Sequence, residues 1–419
     1  GPAPWRRRRR SDLGARRALP RRLDAEGGQP EGQFLGPMGA ILSEPVAAMV
    51  VERAAARGWT AAAATMQGYR RTHEDAHILR FLPPPESEVA GIFAVLDGHG
   101  GQACAMAGAS LLGERLEGLA RRGTLPAKTA EEELQVAFKA VDARLRQELP
   151  ADDRSGSTVV AAIVTRPKPE EYCVHLAHAG DSRAVLCTSG GKQLICSEDH
   201  KPQREDEERR IRAAGGSVEP GPLGGGPPRV DGALAVSRAL GDFHFKPPDQ
   251  APEACKVVAV PEVTTVPLCV PGDWLLLACD GIFDVMDNEE VREFVGSRLQ
   301  PATQGSAQVD GGGIVTELLR HVLDKGSKDN CTACLVQFTG QGAAVEASAN
   351  TRELHQGPWR TAAPEVQARY ADFFASEGFE DEAQELLAAT PHAGGQSLGG
   401  GGPGAGSVDG LPGGKGSMQ

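Results

Sequence analysis

Through the middle of the chain, short apolar or alternating runs stop on glycine, aspartate or serine. They are IFAVLD, STVVAAIVT, YCVHLAHAGD, RAVLCTS, KQLICSED, WLLLACD and NCTACLVQF. Runs of this length bounded by turn residues predict strands. Between them, apolar residues at every third or fourth position predict helices over 103–119, 129–149, 205–214, 289–299 and 315–323. Asp287 followed by Glu290 has the spacing of a capping box at the head of the fourth helix. HAGDSRAVLCTSGGKQLI reads as an antiparallel meander with brief turns. The strands gather in hairpins and do not alternate strictly with helices. The expected class is therefore α+β, built on antiparallel sheet and not on a doubly wound parallel one.

The pattern divides the chain. Residues 59–342 carry the strands and most helices. From 343 to 391 no strand signal remains, and PEVQARYADFFASEG and EDEAQELLAA have helical periodicity, which predicts a helical annex. The Gly-rich stretch 392–419 reads as a disordered tail. Residues 1–58 open with Arg6 to Arg10 and read as a solvated basic segment and linker. Within it, MGAILS at 38–43 fits an N-myristoylation signal for a form that starts at Met38.

Composition adds three constraints. A net charge of −12 argues against a dedicated nucleic-acid binder and implies that an acidic site needs neutralising cations. The nine cysteines lack paired spacing, so they read as reduced thiols of an intracellular protein, cytoplasmic or nuclear. Cys331 and Cys334 form a C-x-x-C without a second pair or nearby histidines, which makes them strand side chains and not a zinc site. No apolar stretch approaches the roughly 20 residues of a membrane span.

The chemistry lies in the acids. VLDGHGG supplies Asp97 and His99, and LLACDGIFD supplies Asp280 and Asp284. RRTHEDAH supplies Arg70, Glu74 and Asp75, and GSKDN supplies Asp329. Asp97 and Asp280 both end an apolar strand, precede glycine and lead into helix-like sequence, which a hairpin turn does not explain. Hard divalent cations take oxygen ligands, and Mg²⁺ or Mn²⁺ uses few carboxylates and several waters. Gly98 would let a backbone carbonyl approach such an ion. Two ions roughly 4 Å apart acidify a shared water and steady the oxygens of an in-line displacement at phosphorus. Arg70 offers a donor fork for phosphate, and His99 offers a proton for a leaving alkoxide. A haloacid-dehalogenase-type site would need a second aspartate where His99 stands. An esterase reading of GQSLG fails because Ser397 lies in the Gly-rich tail.

RRTHEDAH, FAVLDGHGG, SGSTVVAA, AHAGDSRAVL, DHKP, AVSRALGDFHFK, LLLACDGIFDVM and SKDNCTACLV follow one another in this order. Over about 59–338 the chain thereby resembles the metal-dependent type 2C serine/threonine protein phosphatases, and its annex resembles that of the animal alpha and beta forms. The resemblance implies two packed antiparallel sheets flanked by helices, a four-layer αββα arrangement, acting on phosphorylated proteins; the chain is expected to be a monomer. It implies two Mg²⁺ or Mn²⁺ ions, with Asp97 shared between them, Gly98 binding through its carbonyl, and Asp280 and Asp329 completing the second. Glu74 would act mainly through water, with Asp75 alongside; Asp181 and Asp284 match acids linked to a weaker third ion. Arg70 would hold phosphate and His99 would be the general acid. One departure is visible: His73 stands where relatives often have an apolar residue.

Overall fold

The run that ends at Asp97 is the strand Ala90–Leu96, and it is buried on both faces. Phe93 and Val95 enter the core between two sheets, whereas Ile92, Ala94 and Leu96 face a helical layer. A strand covered on both sides reads as continuously apolar because neither face meets water. The computed structural model describes residues 41–82, 90–122, 125–188, 193–221, 226–299, 309–340 and 351–389, with the backbone of 7–9. The arginine run beyond 7–9, residues 38–40 of MGAILS and the Gly-rich tail lie outside the described residues.

Two antiparallel sheets form the centre. The five-stranded sheet runs in the order Glu262–Cys269, Glu171–Ala179, Val159–Lys168, Ala90–Leu96, Ala76–Leu82. The eight-stranded sheet runs from Arg7–Arg9 through Thr351–His355, Met49–Ala56, Trp59–Met66, Cys331–Phe338, Trp274–Ala278 and Arg183–Thr188 to Gln193–Cys196. Helices Ala103–Ala120 and Ala127–Glu148 cover the first sheet, and Asn288–Leu299 and Gly311–Asp324 cover the second. This is the expected α+β architecture of packed antiparallel sheets between helices. The capping box forms: Glu290 N donates to Asp287 Oδ1 at 2.8 Å and Asp287 N to Glu290 Oε2 at 2.9 Å. Cys331 and Cys334 are buried strand residues, and all nine cysteines are free thiols. Among the described residues no helix is long and apolar enough to cross a membrane.

Three sequence expectations differ from the structure. The strand Met49–Ala56 lies inside the stretch 1–58 read as tail and linker, and it pairs with Trp59–Met66. Its sequence and its partner's are rich in alanine, which favours helices over strands, so only burial between neighbours makes them sheet. Thr351–His355 is a strand where the annex carried no strand signal; four of its five residues are polar and it lies toward the sheet edge. The meander is split, because Glu171–Ala179 belongs to one sheet while Arg183–Thr188 and Gln193–Cys196 belong to the other. The crossing occurs at Gly180, whose φ of +121° suits glycine, and it delivers Asp181 to the sheet ends.

The annex helices Pro364–Ser376 and Glu380–Ala389 bury Phe373, Phe374, Tyr370 and Leu386 against Val46, Val50 and Leu354. Ala47 N donates to the Tyr370 hydroxyl at 3.0 Å, closing this contact with a polar tie.

A smaller lobe beside the sheets is pinned through Glu207 in the helix Glu205–Ala213. Its carboxylate is 1% exposed and accepts from Arg238 at 2.7 and 3.0 Å, pairs with Arg210 at 2.8 Å, and takes the Ser237 hydroxyl. Burial alone would push its pKa up, but the hydrogen bonds and charges of Arg210 and Arg238 hold it at about 2, below the ordinary 4.5. The depressed value means the stabilisation is complete above pH 4.5 and fades as pH falls toward 2. Glu207→Gln leaves two guanidiniums facing a neutral amide. It should cost about 3–5 kcal/mol at pH 7 in urea unfolding, and the deficit should narrow as the pH is lowered below 4.5. A deficit independent of pH would show that the charge of Glu207 contributes nothing.

Candidate active site

The acids arrive at one end of the two sheets because each ends or precedes a strand of one of them. Asp97 follows Ala90–Leu96, Asp280 follows Trp274–Ala278 and opens the short helix Asp280–Phe283, and Glu74 and Asp75 lead into Ala76–Leu82. Asp329 leads into Cys331–Phe338. With Arg70, Gly98, His99, Asp181 and Asp284, these residues line one pocket of about 520 Å³, except for Asp75, which is buried behind its wall. The structure thus brings together all the site residues picked from the sequence.

Two glycines permit this convergence. A Cβ on Gly98 would lie 2.2 Å from the Glu74 carbonyl oxygen, and one on Gly281 would lie 2.0 Å from that of Asn330. The bareness after each aspartate therefore has a steric cause: it lets the acid-bearing loops touch. Asn330 ties the same loops, accepting from Glu74 N at 2.9 Å and donating to the carbonyls of Gln67 at 2.7 Å and Thr72 at 3.0 Å. Glu74 is oriented by Thr72 Oγ1 at 2.8 Å and Gly101 N at 3.1 Å.

Crowding the acids together is electrostatically costly. Burial, then the charges of Asp75, Asp329 and Asp181, push Asp97 well above the carboxylate range. Burial, then Asp97, Asp181 and Asp329, does the same to Asp280. Asp75 is pushed to about 8, chiefly by burial. Carboxyls in this condition take up protons or cations. Asp75 Oδ1 is buried with no hydrogen-bond partner, while its Oδ2 accepts from Thr332 Oγ1 at 2.6 Å. An orphaned carboxylate oxygen facing further acids fits a hard divalent cation. Cys279 lies close to Asp75 and Asp97, but burial pushes its thiol well up, so it stays protonated and is a poor ligand for such an ion.

Cationic groups ring the acids. Arg70 donates to Asp329, and Lys201 Nζ lies 2.5 Å from Asp181 Oδ2. His99 Nε2 lies 2.7 Å from Asp242 Oδ2. Burial opposes the charged ring, yet the charge and hydrogen bond of Asp242 raise the His99 pKa overall. Asp242 itself is 1% exposed and held at φ +51°. Lys201 and Asp242 were missed as site residues, although both sit inside the quoted motifs DHKP and AVSRALGDFHFK; only the tertiary contact reveals their roles. His178, His200 and Glu262 form another compact group among the described residues. There Glu262 Oε2 is 3.3 Å from Arg204 as well as 3.4 Å from His200, and a guanidinium in that position repels a metal ion.

Comparison with known proteins agrees with this geometry. The family model described as Protein phosphatase 2C matches residues 59–331. The chain is 38% identical over 310 residues to "Probable protein phosphatase 1N" of Mus musculus, covering 73% of this chain and 72% of that one. It is 34% identical over 316 residues to "Protein phosphatase 1B" of Rattus norvegicus, covering 72% and 76%. A solved structure, of a phosphatase from a pathogenic strain of Toxoplasma gondii, superposes with a TM-score of 0.61 at 30% identity, covering 72% of this chain and 99% of that one. On fold, pocket and sequence together, the chain belongs to the protein phosphatase 2C family.

Proposed function

We propose that this chain is a Mg²⁺- or Mn²⁺-dependent serine/threonine protein phosphatase acting on phosphorylated proteins, as a monomer inside the cell. The observation that carries the reading is the convergence of Asp97, Asp280 and Asp329 on one pocket, with the orphaned Asp75 oxygen behind it. Asp97 would be shared between two ions, with the Gly98 carbonyl and Glu74 on one side and Asp280 and Asp329 on the other. Asp75 supports the set from below. Asp181 and Asp284 would serve a weaker third ion. Bound divalent ions supply an acidified water and charge neutralisation at phosphorus.

The chain's own groups do the rest. Arg70 stands at the pocket lip, half-exposed, where its guanidinium can leave Asp329 for a phosphoryl group. His99 holds its proton for the departing serine or threonine oxygen; with Nε2 engaged by Asp242, Nδ1 is the ring atom left to donate. The decisive experiment is hydrolysis of a phosphothreonine peptide with added Mn²⁺ or Mg²⁺, and again after chelation. Activity should vanish with chelator and return with either ion. Full activity after exhaustive chelation would overturn the metal-dependent reading, and inactivity under all conditions would leave a phosphoprotein-binding module as the better account.

A further inference from the structure

His73, the departure noted in the sequence, is buried between the annex and the acidic pocket. Its ring lies 5.1 Å from that of Phe373, and its Nδ1 is 3.9 Å from Glu377 Oε1. Glu377 is in turn gripped by Arg352. On the other side His73 Nε2 is 2.7 Å from Thr65 Oγ1, and Thr65 Oγ1 is 2.6 Å from Thr332 Oγ1. Thr332 then donates to Asp75 Oδ2 at 2.6 Å. Thr65, Thr332 and Asp75 are at most 3% exposed, so water does not interrupt the row.

With Asp75 ionised, as cation binding requires, proton counting fixes the direction of every bond. A threonine hydroxyl has one hydrogen. That of Thr332 goes to Asp75, so Thr332 must accept from Thr65. Thr65 has then spent its hydrogen and must accept from His73, whose Nε2 therefore carries a proton. Three groups line up as donors toward one carboxylate oxygen, leaving Asp75 Oδ1 as the free one. Aligned hydrogen bonds strengthen one another, and partners that orient metal-site carboxylates influence metal affinity.

We propose that His73 is a positioning residue that couples docking of the C-terminal helices to divalent-cation affinity, through Thr65, Thr332 and Asp75. The proposal rests on reading the pocket as a cation site. An apolar residue at position 73 can pack against Phe373 but cannot donate to Thr65.

The test measures Mn²⁺ binding to the full chain by the electron paramagnetic resonance signal of free Mn²⁺, alongside kcat at saturating Mn²⁺. His73→Met keeps apolar volume and removes the donor; it should weaken Mn²⁺ binding about fivefold with kcat changed less than twofold. His73→Gln, whose amide can donate to Thr65, should bind within twofold of wild type. Phe373→Leu should weaken binding in the His73 background and have no effect in the His73→Met background. Wild-type affinity in His73→Met, or equal losses for Met and Gln, would overturn the coupling and leave His73 a packing residue. Should His73→Met not fold, unchanged affinity in Phe373→Leu overturns it instead. Absence of Mn²⁺ binding by the wild type removes the cation site itself, and the coupling with it.

Discussion

Asp97→Asn should lower turnover of a phosphothreonine peptide at saturating Mn²⁺ by at least about a thousandfold, with the fold intact. The carboxylate is expected to serve two cations at once, and an amide offers a weaker, neutral oxygen to both. Metal-ion catalysis contributes several kcal/mol of transition-state stabilisation, and each ~1.4 kcal/mol is tenfold in rate. The fold should survive because Asp97 is a source of repulsion in the metal-free protein. Burial and the neighbouring Asp75, Asp329 and Asp181 raise its pKa well above the usual value. A folded-state pKa above the unfolded one means that at neutral pH this carboxyl costs stability, whether it stays charged or takes up a proton, and the asparagine removes that cost. Two measurements check this: initial rates with Mn²⁺, and the thermal midpoint in chelator, which should not fall. Asp280→Asn should behave alike, since burial and Asp97 raise its pKa too. Wild-type rates in either variant would return these acids to the status of turn residues.

The same acids explain how much of this protein was legible beforehand. Asp97 and Asp280 stood out because a strand buried on both faces gives an unbroken apolar run, and an acid closing such a run has no packing explanation. The four helices that cover the sheets were readable for a related reason: each has one face on a sheet, and Asp287 and Glu290 advertised a cap. The strands Met49–Ala56 and Trp59–Met66 were hidden, because alanine carries no strand preference and their outer partners, Thr351–His355 and Cys331–Phe338, are remote in sequence. The crossing at Gly180 was hidden as well. A short turn between two strands looks the same whether it closes a hairpin or passes the chain to another sheet.

What the sequence could not display is pairing between distant polar groups. Asp242 lies 143 positions from His99, and Thr332 lies 257 from Asp75. Neither spacing corresponds to any local period, so both contacts exist only through the fold. His73 is the intermediate case. Its departure from an apolar residue was visible in the sequence, but its meaning depends on Phe373 in a helix some 300 residues away and on Glu377 just past that helix's end.

The pairing of His99 with Asp242 leads to the second large effect. His99→Gln should lower kcat on a phosphothreonine peptide by about 10²–10⁴-fold, the usual contribution of a general acid. On an aryl phosphate such as p-nitrophenyl phosphate the loss should be far smaller, because the departing phenolate is stable without a proton. The contrast separates acid catalysis from a structural role, since a distorted pocket would impair both substrates. Asp242→Asn should show the same pattern more weakly. Its carboxylate, 2.7 Å from Nε2, holds the ring in place and favours the protonated form, so an amide there loses the charge while keeping a hydrogen-bonding group. Steady-state rates on the two substrates, at saturating Mn²⁺ for each variant, give the comparison directly. Equal losses on both substrates would remove His99 from the acid role and assign the His99–Asp242 pair to holding the loop at Gly98.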